Sequence, residues 1–158
     1  MNMKKWSPYI ISALIALVIG GLSGLLSVEG MQIYSSMVSK PPLTPPGWLF
    51  GIVWTVLYIL MGISAARIWL SEGSTSKSRG LNLYVAQLVV NFFWSLIFFN
   101  AQAYGFALVW LLVLFALVLL MTLQFYKVDK KAAVLQIPYL LWLAFAAYLN
   151  FGVWVINS

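Results

Sequence analysis

The chain has 158 residues, of which 63% are hydrophobic and only 8% charged, and its mean hydropathy is +0.97; soluble domains carry near ~25% charged residues, so an ordinary globule is excluded. Cysteine and histidine are both absent, which removes disulfides, thiolate or imidazole metal sites and the usual neutral-pH base. The net charge of +6 is scattered through short loops between apolar runs, where it reads as a topology signal and not as a nucleic-acid surface.

The composition and spacing predict an all-α, polytopic membrane protein: a five-transmembrane-helix bundle forming a single domain over residues 1–158, with spans at about 8–27, 47–70, 81–99, 104–125 and 132–156. Met1 to Lys5 is a short basic start, and Ser7-Pro8 reads as a cap followed by a helix-compatible proline. The apolar run from Tyr9 to Leu26 is too long for a signal-peptide core, and no A-x-A-like site follows it. Within it Gly20-x-x-x-Gly24 permits close helix approach, either inside the bundle or at a dimer face.

Residues 28–46 are the one long predicted loop, read here as a lid. Its end, Pro41-Pro42-Leu43-Thr44-Pro45-Pro46, is an extended strap, because proline fixes φ and removes backbone donors. Thr44 is the expected N-cap of the second span, with Pro45 and Pro46 in the first turn and Trp48 at interface depth. In that span Trp54 and Tyr58 are one turn apart, and Arg67 is placed to snorkel outward near its end. Ser71 to Gly80 reads as polar and flexible. In the third span Gln87, Asn91 and Ser95 recur at helical spacing on one face, flanked by Trp94.

The fourth span is apolar nearly all round and is expected to face lipid over much of its surface. Lys127 to Lys131 is predicted as a charged turn, after which Trp142, Ala146 and Asn150 share a face of the fifth span; Pro138 is expected to kink that helix or cost it a hydrogen bond. One side of the predicted bundle holds Lys4, Lys5, Arg67, Lys77, Arg79, Lys127, Lys130 and Lys131, and the other only Lys40. In a bacterial cell membrane, which the short ends favour, this puts the N-terminus in the cytoplasm and the strap outside.

Inside the spans there is no carboxylate, and the only cation is Arg67 at a helix end. Intramembrane proton pumping, paired-carboxylate catalysis and base-activated serine chemistry therefore have no residues to run on. Aromatics are abundant, at 16% of the chain. Trp6, Trp48, Trp69 and Trp154 read as interface or packing residues. Trp54 and Trp142 lie deeper, and an aromatic wall opposite Gln87 and Asn91 suits a large, flat, mostly apolar ligand; the two amides suit interhelical bonding equally well.

Several stretches, in order and spacing, carry a resemblance: Glu29-Gly30, Tyr34, Lys40-Pro41, Pro45-Pro46, Trp54-x-x-Leu57-Tyr58-x-x-Met61-Gly62, Gln87-Leu88-x-x-Asn91-x-x-Trp94-x-x-Ile97-Phe98-Phe99, and Pro138-Tyr139-Leu140-x-Trp142 through Tyr148-Leu149-Asn150. Together these resemble the TspO/MBR family of tryptophan-rich sensory proteins, translocator proteins and peripheral-type benzodiazepine receptors. The resemblance implies a five-helix bundle, frequently a homodimer, that binds porphyrins and haem-type tetrapyrroles, benzodiazepine-like drugs and, in animals, cholesterol. It implies a ligand site at Tyr34, Trp54, Tyr58, Gln87, Asn91, Trp94, Trp142 and Ala146.

Three departures fall in the lid: Leu43 stands where the family usually has Trp, Ile33 where an aromatic is frequent, and the stretch from Tyr34 to Lys40 is one residue longer. No basic residue follows Tyr148, so the sterol-type motif is incomplete. Without His or Cys a bound haem lacks its common axial ligands, which favours a ring held by its face and propionates, with no cofactor required. Lys40 is either a propionate partner or a solvated lid lysine. Three functional readings follow: a sensor or transport protein binding tetrapyrrole or another flat apolar molecule, a light- or oxidant-dependent porphyrin-degrading enzyme using Trp54 and Trp142, or a scaffold.

Overall fold

The computed structural model describes residues 3–158, which form six α-helices and no strand. These are α1 (Met3–Leu26), α2 (Val28–Met37), α3 (Gly47–Trp69), α4 (Thr75–Ser95, running on through a π-helical turn at Leu96–Asn100), α5 (Tyr104–Val128) and α6 (Lys130–Ile156). All but α2 are long and apolar enough to cross a membrane. Neighbour contacts give the order α1, α3, α6, α5, α4 around the bundle, with α4 returning to α1.

Several predicted boundaries are corrected. The long loop is half helix, since residues 28–37 contain no proline and coil into α2; the strap proper is the non-helical stretch 38–46. Thr44 is not the cap of α3. It precedes Pro45, and Pro45 precedes Pro46, so neither can adopt the α conformation and the helix starts only at Gly47, with extended Pro46 (φ −65°, ψ 153°) at its cap. The Thr44 hydroxyl instead donates to the Pro41 carbonyl at 2.7 Å, closing a turn in which Leu43 takes a left-handed φ of 69°.

The third span starts at Thr75, not 81, because the Ser74 side chain accepts from the Lys77 N–H at 3.0 Å and caps it there; only 70–74 lies outside the helices at that end. At the other end of the chain's basic face the predicted charged turn shrinks to Asp129 alone, whose carboxylate accepts from Lys131 N–H at 3.0 Å and starts α6. α1 begins ahead of Ser7, so Pro8 lies inside it, and α6 continues through Pro138.

The basic face is closely packed. A Cβ on Gly62 would come within 2.5 Å of the Ala13 backbone, so only glycine lets α1 and α3 touch here. The buried Ser64 hydroxyl donates to Ala132 O at 2.7 Å, joining α3 to α6. Arg67 does not snorkel freely but pairs with Asp129 at 2.7 Å. Burial pulls the Asp129 carboxyl upward, but the Arg67 bond and the Lys131 N–H outweigh it and hold the group below its ordinary value.

Candidate functional site

Toward the strap face the same helices separate around a cavity of about 520 Å³, within the range of ~300–1,000 Å³ usual for small-molecule sites. Its floor is a chain of hydrogen bonds between buried groups. Tyr58 O–H donates to Asn91 Oδ1 at 3.1 Å, Asn91 Nδ2 donates to the Tyr139 hydroxyl, and Tyr139 O–H donates to Gln87 Oε1 at 2.7 Å. Gln87 reaches on to Met61 Sδ at 3.5 Å. Each of these four side chains, Tyr58, Asn91, Tyr139 and Gln87, is thus hydrogen-bonded, as burial of polar groups demands.

The walls are aromatic. Trp54 stacks obliquely over Tyr58, with centroids 5.6 Å apart, and meets Trp142 edge-on at 6.4 Å. Phe50, one turn above Trp54, meets Trp142 edge-on at 5.5 Å. Opposite them Trp94 stacks on Phe98 at 5.0 Å, and its indole N–H is fixed by Asn150 Oδ1 at 3.2 Å; Asn150 in turn donates to Tyr104 O at 2.8 Å. Ala146 keeps the α6 side open because it has no bulk.

The roof is the strap and α2. Gly30 sets α2 directly on the backbone of Phe99, where a Cβ would approach to 2.4 Å, and Asn100 Nδ2 donates to Leu26 O at 2.7 Å. Tyr34 enters the aromatic cluster, 5.6 Å from Phe98 and 5.3 Å from Phe99, and burial, helped by Tyr104, pushes its hydroxyl up to about 12. It is therefore a neutral hydrogen-bonding group at any physiological pH. Lys40 Nζ sits 4.8 Å over the Tyr34 ring and donates to Ser35 O and Val38 O. The strap is stapled to the end of α6: Asn157 bonds both the N–H and the carbonyl of Ser39, at 3.1 and 2.8 Å, and the Tyr148 hydroxyl donates to Pro42 O at 2.9 Å.

The residues Tyr34, Trp54, Tyr58, Asn91, Trp94, Trp142 and Ala146 all line this one cavity. Gln87 does not; it is fully buried beneath the floor and positions Tyr139. Gly20 lines the cavity and lies against the Tyr58 ring, so its place in the Gly20/Gly24 pair is intramolecular, whereas a Cβ on Gly24 would meet nothing within 4 Å. Sequence reasoning missed Phe50, Phe98 and Phe99 as wall residues. Phe50 was legible as the residue one turn before Trp54. Phe98 and Phe99 both turn toward the roof because α4 ends in a π-helical turn, which apolar periodicity does not reveal.

Comparison with known proteins agrees with this architecture. The TspO/MBR family matches residues 12–155. The chain is 37% identical to "Tryptophan-rich protein TspO" of Archaeoglobus fulgidus over 158 residues, covering all of both chains. It is 40% identical to the human "Translocator protein" over 128 residues, 80% of this chain and 75% of that one. It is 37% identical to "Tryptophan-rich sensory protein" of Cereibacter sphaeroides over 120 residues, 76% and 74% of the two chains. With five membrane-spanning helices and a match across nearly its whole length, the chain is an integral membrane protein and belongs to the TspO/MBR family.

Proposed function

We propose that the cavity binds porphyrin- or haem-type tetrapyrroles, or flat apolar molecules of the benzodiazepine type, and that the protein acts as a membrane sensor or transport protein for them. The observation that carries this reading is the pairing of opposed aromatic walls, Phe50, Trp54 and Trp142 against Trp94 and Phe98, with a floor whose polar groups, Tyr58 and Asn91, are already oriented. Stacking on such walls suits a planar ring, and a fixed polar floor orients it without charge. Lys40, the only cation lining the cavity among the described residues, stands at the roof where a propionate would emerge. The basic-residue asymmetry supports a cytoplasmic N-terminus in a bacterial cell membrane, and the resemblance supports a homodimer.

The test is a protoporphyrin IX titration of detergent-solubilised protein in dim light, read by tryptophan fluorescence. Saturable quenching that Trp54→Phe and Trp142→Phe weaken, and a remote Trp6→Phe does not, is the expected result. Non-saturating quenching shared by all three variants would mean partitioning into the micelle and would overturn the reading.

A second reading, porphyrin breakdown under light, is favoured by one contact: Trp54 and Trp142 touch each other on the cavity wall, 6.4 Å between centroids, as a pair of oxidisable indoles. It predicts loss of porphyrin absorbance under illumination that disappears in both Trp→Phe variants; loss at the same rate in the variants would sink it.

A further inference from the structure

Trp142 has two faces. Inside, it walls the cavity with Phe50 and Trp54; outside, it forms the back of a separate groove of about 460 Å³ between α3 and α6. The groove is edged by Ile52, Val56 and Leu60 of α3 and by Pro138, Leu141 and Phe145 of α6. Ile52, Val56 and Leu141 are exposed on the outer surface of the bundle, Leu141 at 67%. Its residues lie in the middle of both spans, α3 being Gly47–Trp69 and α6 Lys130–Ile156. The groove therefore opens at hydrocarbon depth and not toward either aqueous face.

We propose that this groove is a binding site for a lipid acyl chain, with Trp142 as the wall separating it from the cavity. Three features select that occupant. Every side chain edging the groove is apolar, so water gains no partner there, and a recess at this depth is filled by hydrocarbon. A second copy of the chain is a poor fit, since helices dock in membranes through small residues or polar pairs, and the edges are Ile, Val, Leu, Pro and Phe. The recess also follows from how the two helices are joined: held together at the basic face by Ser64–Ala132 and Arg67–Asp129, they leave a crevice between them further along, running with the helices as acyl chains do.

Trp142 is suited to be a movable wall. The indole N–H groups of Trp94 and Trp110 are pinned, to Asn150 Oδ1 at 3.2 Å and Val90 O at 2.7 Å, whereas that of Trp142 is buried without a hydrogen-bond partner among the described residues. Phe145 contacts it from the groove side at 5.6 Å and Phe50 from the cavity side at 5.5 Å. An acyl chain in the groove thus presses on the same indole that a cavity ligand would meet.

The test uses the full chain in nanodiscs of phosphatidylcholine carrying bromine at mid-chain or none, with no porphyrin present, so it stands apart from the fate of the proposed function. The contribution of Trp142 is the difference between wild type and Trp142→Phe. The expected result is strong bromine quenching of that contribution, most of which is lost when Val56→Phe fills the groove, while interface tryptophans keep theirs. Should Val56→Phe fail to fold, Leu141→Phe at the exposed rim makes the same comparison. Absence of bromine quenching at Trp142 in wild type, as a second copy seated over the groove would give, overturns the proposal, and so does equal quenching in the filled variants.

Discussion

The two ends of this bundle are built from the same helices on opposite rules. At the basic face, small residues and cross-helix bonds draw the backbones together: Gly62 on Ala13, Ser64 on Ala132, Arg67 on Asp129, with Met61, Ile68 and Phe125 fully buried between. At the strap face, bulky rings and a proline-rich cover hold the helices apart around about 520 Å³ of open space. A void in an apolar core forfeits dispersion contacts. The packed end therefore supplies the stability that lets the other end stay open, which is the arrangement expected of a scaffold carrying a site.

Substitutions at the packed end should break stability first. Gly62→Leu forces α1 and α3 apart and should cost at or above the ~3 kcal/mol upper range of overpacking, read as loss of the thermal transition in detergent; an unchanged transition would show that the two helices do not meet there. Asp129→Ala removes both the ion pair and the α6 cap, and loss of such a cap alone costs ~0.5–2 kcal/mol. Because the folded carboxyl is held below the unfolded value of 3.8, its contribution is fully present above that pH and fades as pH falls through the folded value. An acid-side loss of melting temperature in wild type, absent in Asp129→Ala, is the signature.

Changes at the open end should be smaller in stability and larger in ligand behaviour. Asn157→Ala frees both backbone groups of Ser39 and should loosen the strap more than Tyr148→Phe, which removes one bond of ~1 kcal/mol; amide hydrogen exchange at Ser39, Lys40 and Leu43 orders the two. Equal, unaltered protection in both variants would mean that other contacts hold the strap. The smallest effect is at Leu43, where Leu43→Gly relieves the left-handed φ of 69° and should raise stability by a few tenths to ~1 kcal/mol.

The contrast between the ends also explains what the sequence disclosed. Five spans were legible because apolar length and charge-free runs are local properties, and Trp54, Tyr58, Asn91, Trp94, Trp142 and Ala146 converge because helical spacing puts each on an inward face. The α2 helix was hidden because it is only ten residues long and follows α1 with only Ser27 between them, and because the prolines that make the strap rigid begin only after it. Gln87 and Asn91, equivalent by spacing, differ in three dimensions: one turn of depth puts Asn91 on the cavity and Gln87 beneath it. Arg67 and Asp129, 62 residues apart, pair through tertiary structure that no local pattern records.

The central claim is that the space under the strap is where the ligand sits, and Ala146→Phe tests it most directly. Ala146 is 6% exposed on the cavity wall, at the open end and away from the packed one. A ring there should fill the cavity while leaving the melting temperature near that of wild type, and saturable protoporphyrin IX quenching should be lost. Undiminished porphyrin affinity in a folded Ala146→Phe protein would contradict the account and move the ligand out of the bundle.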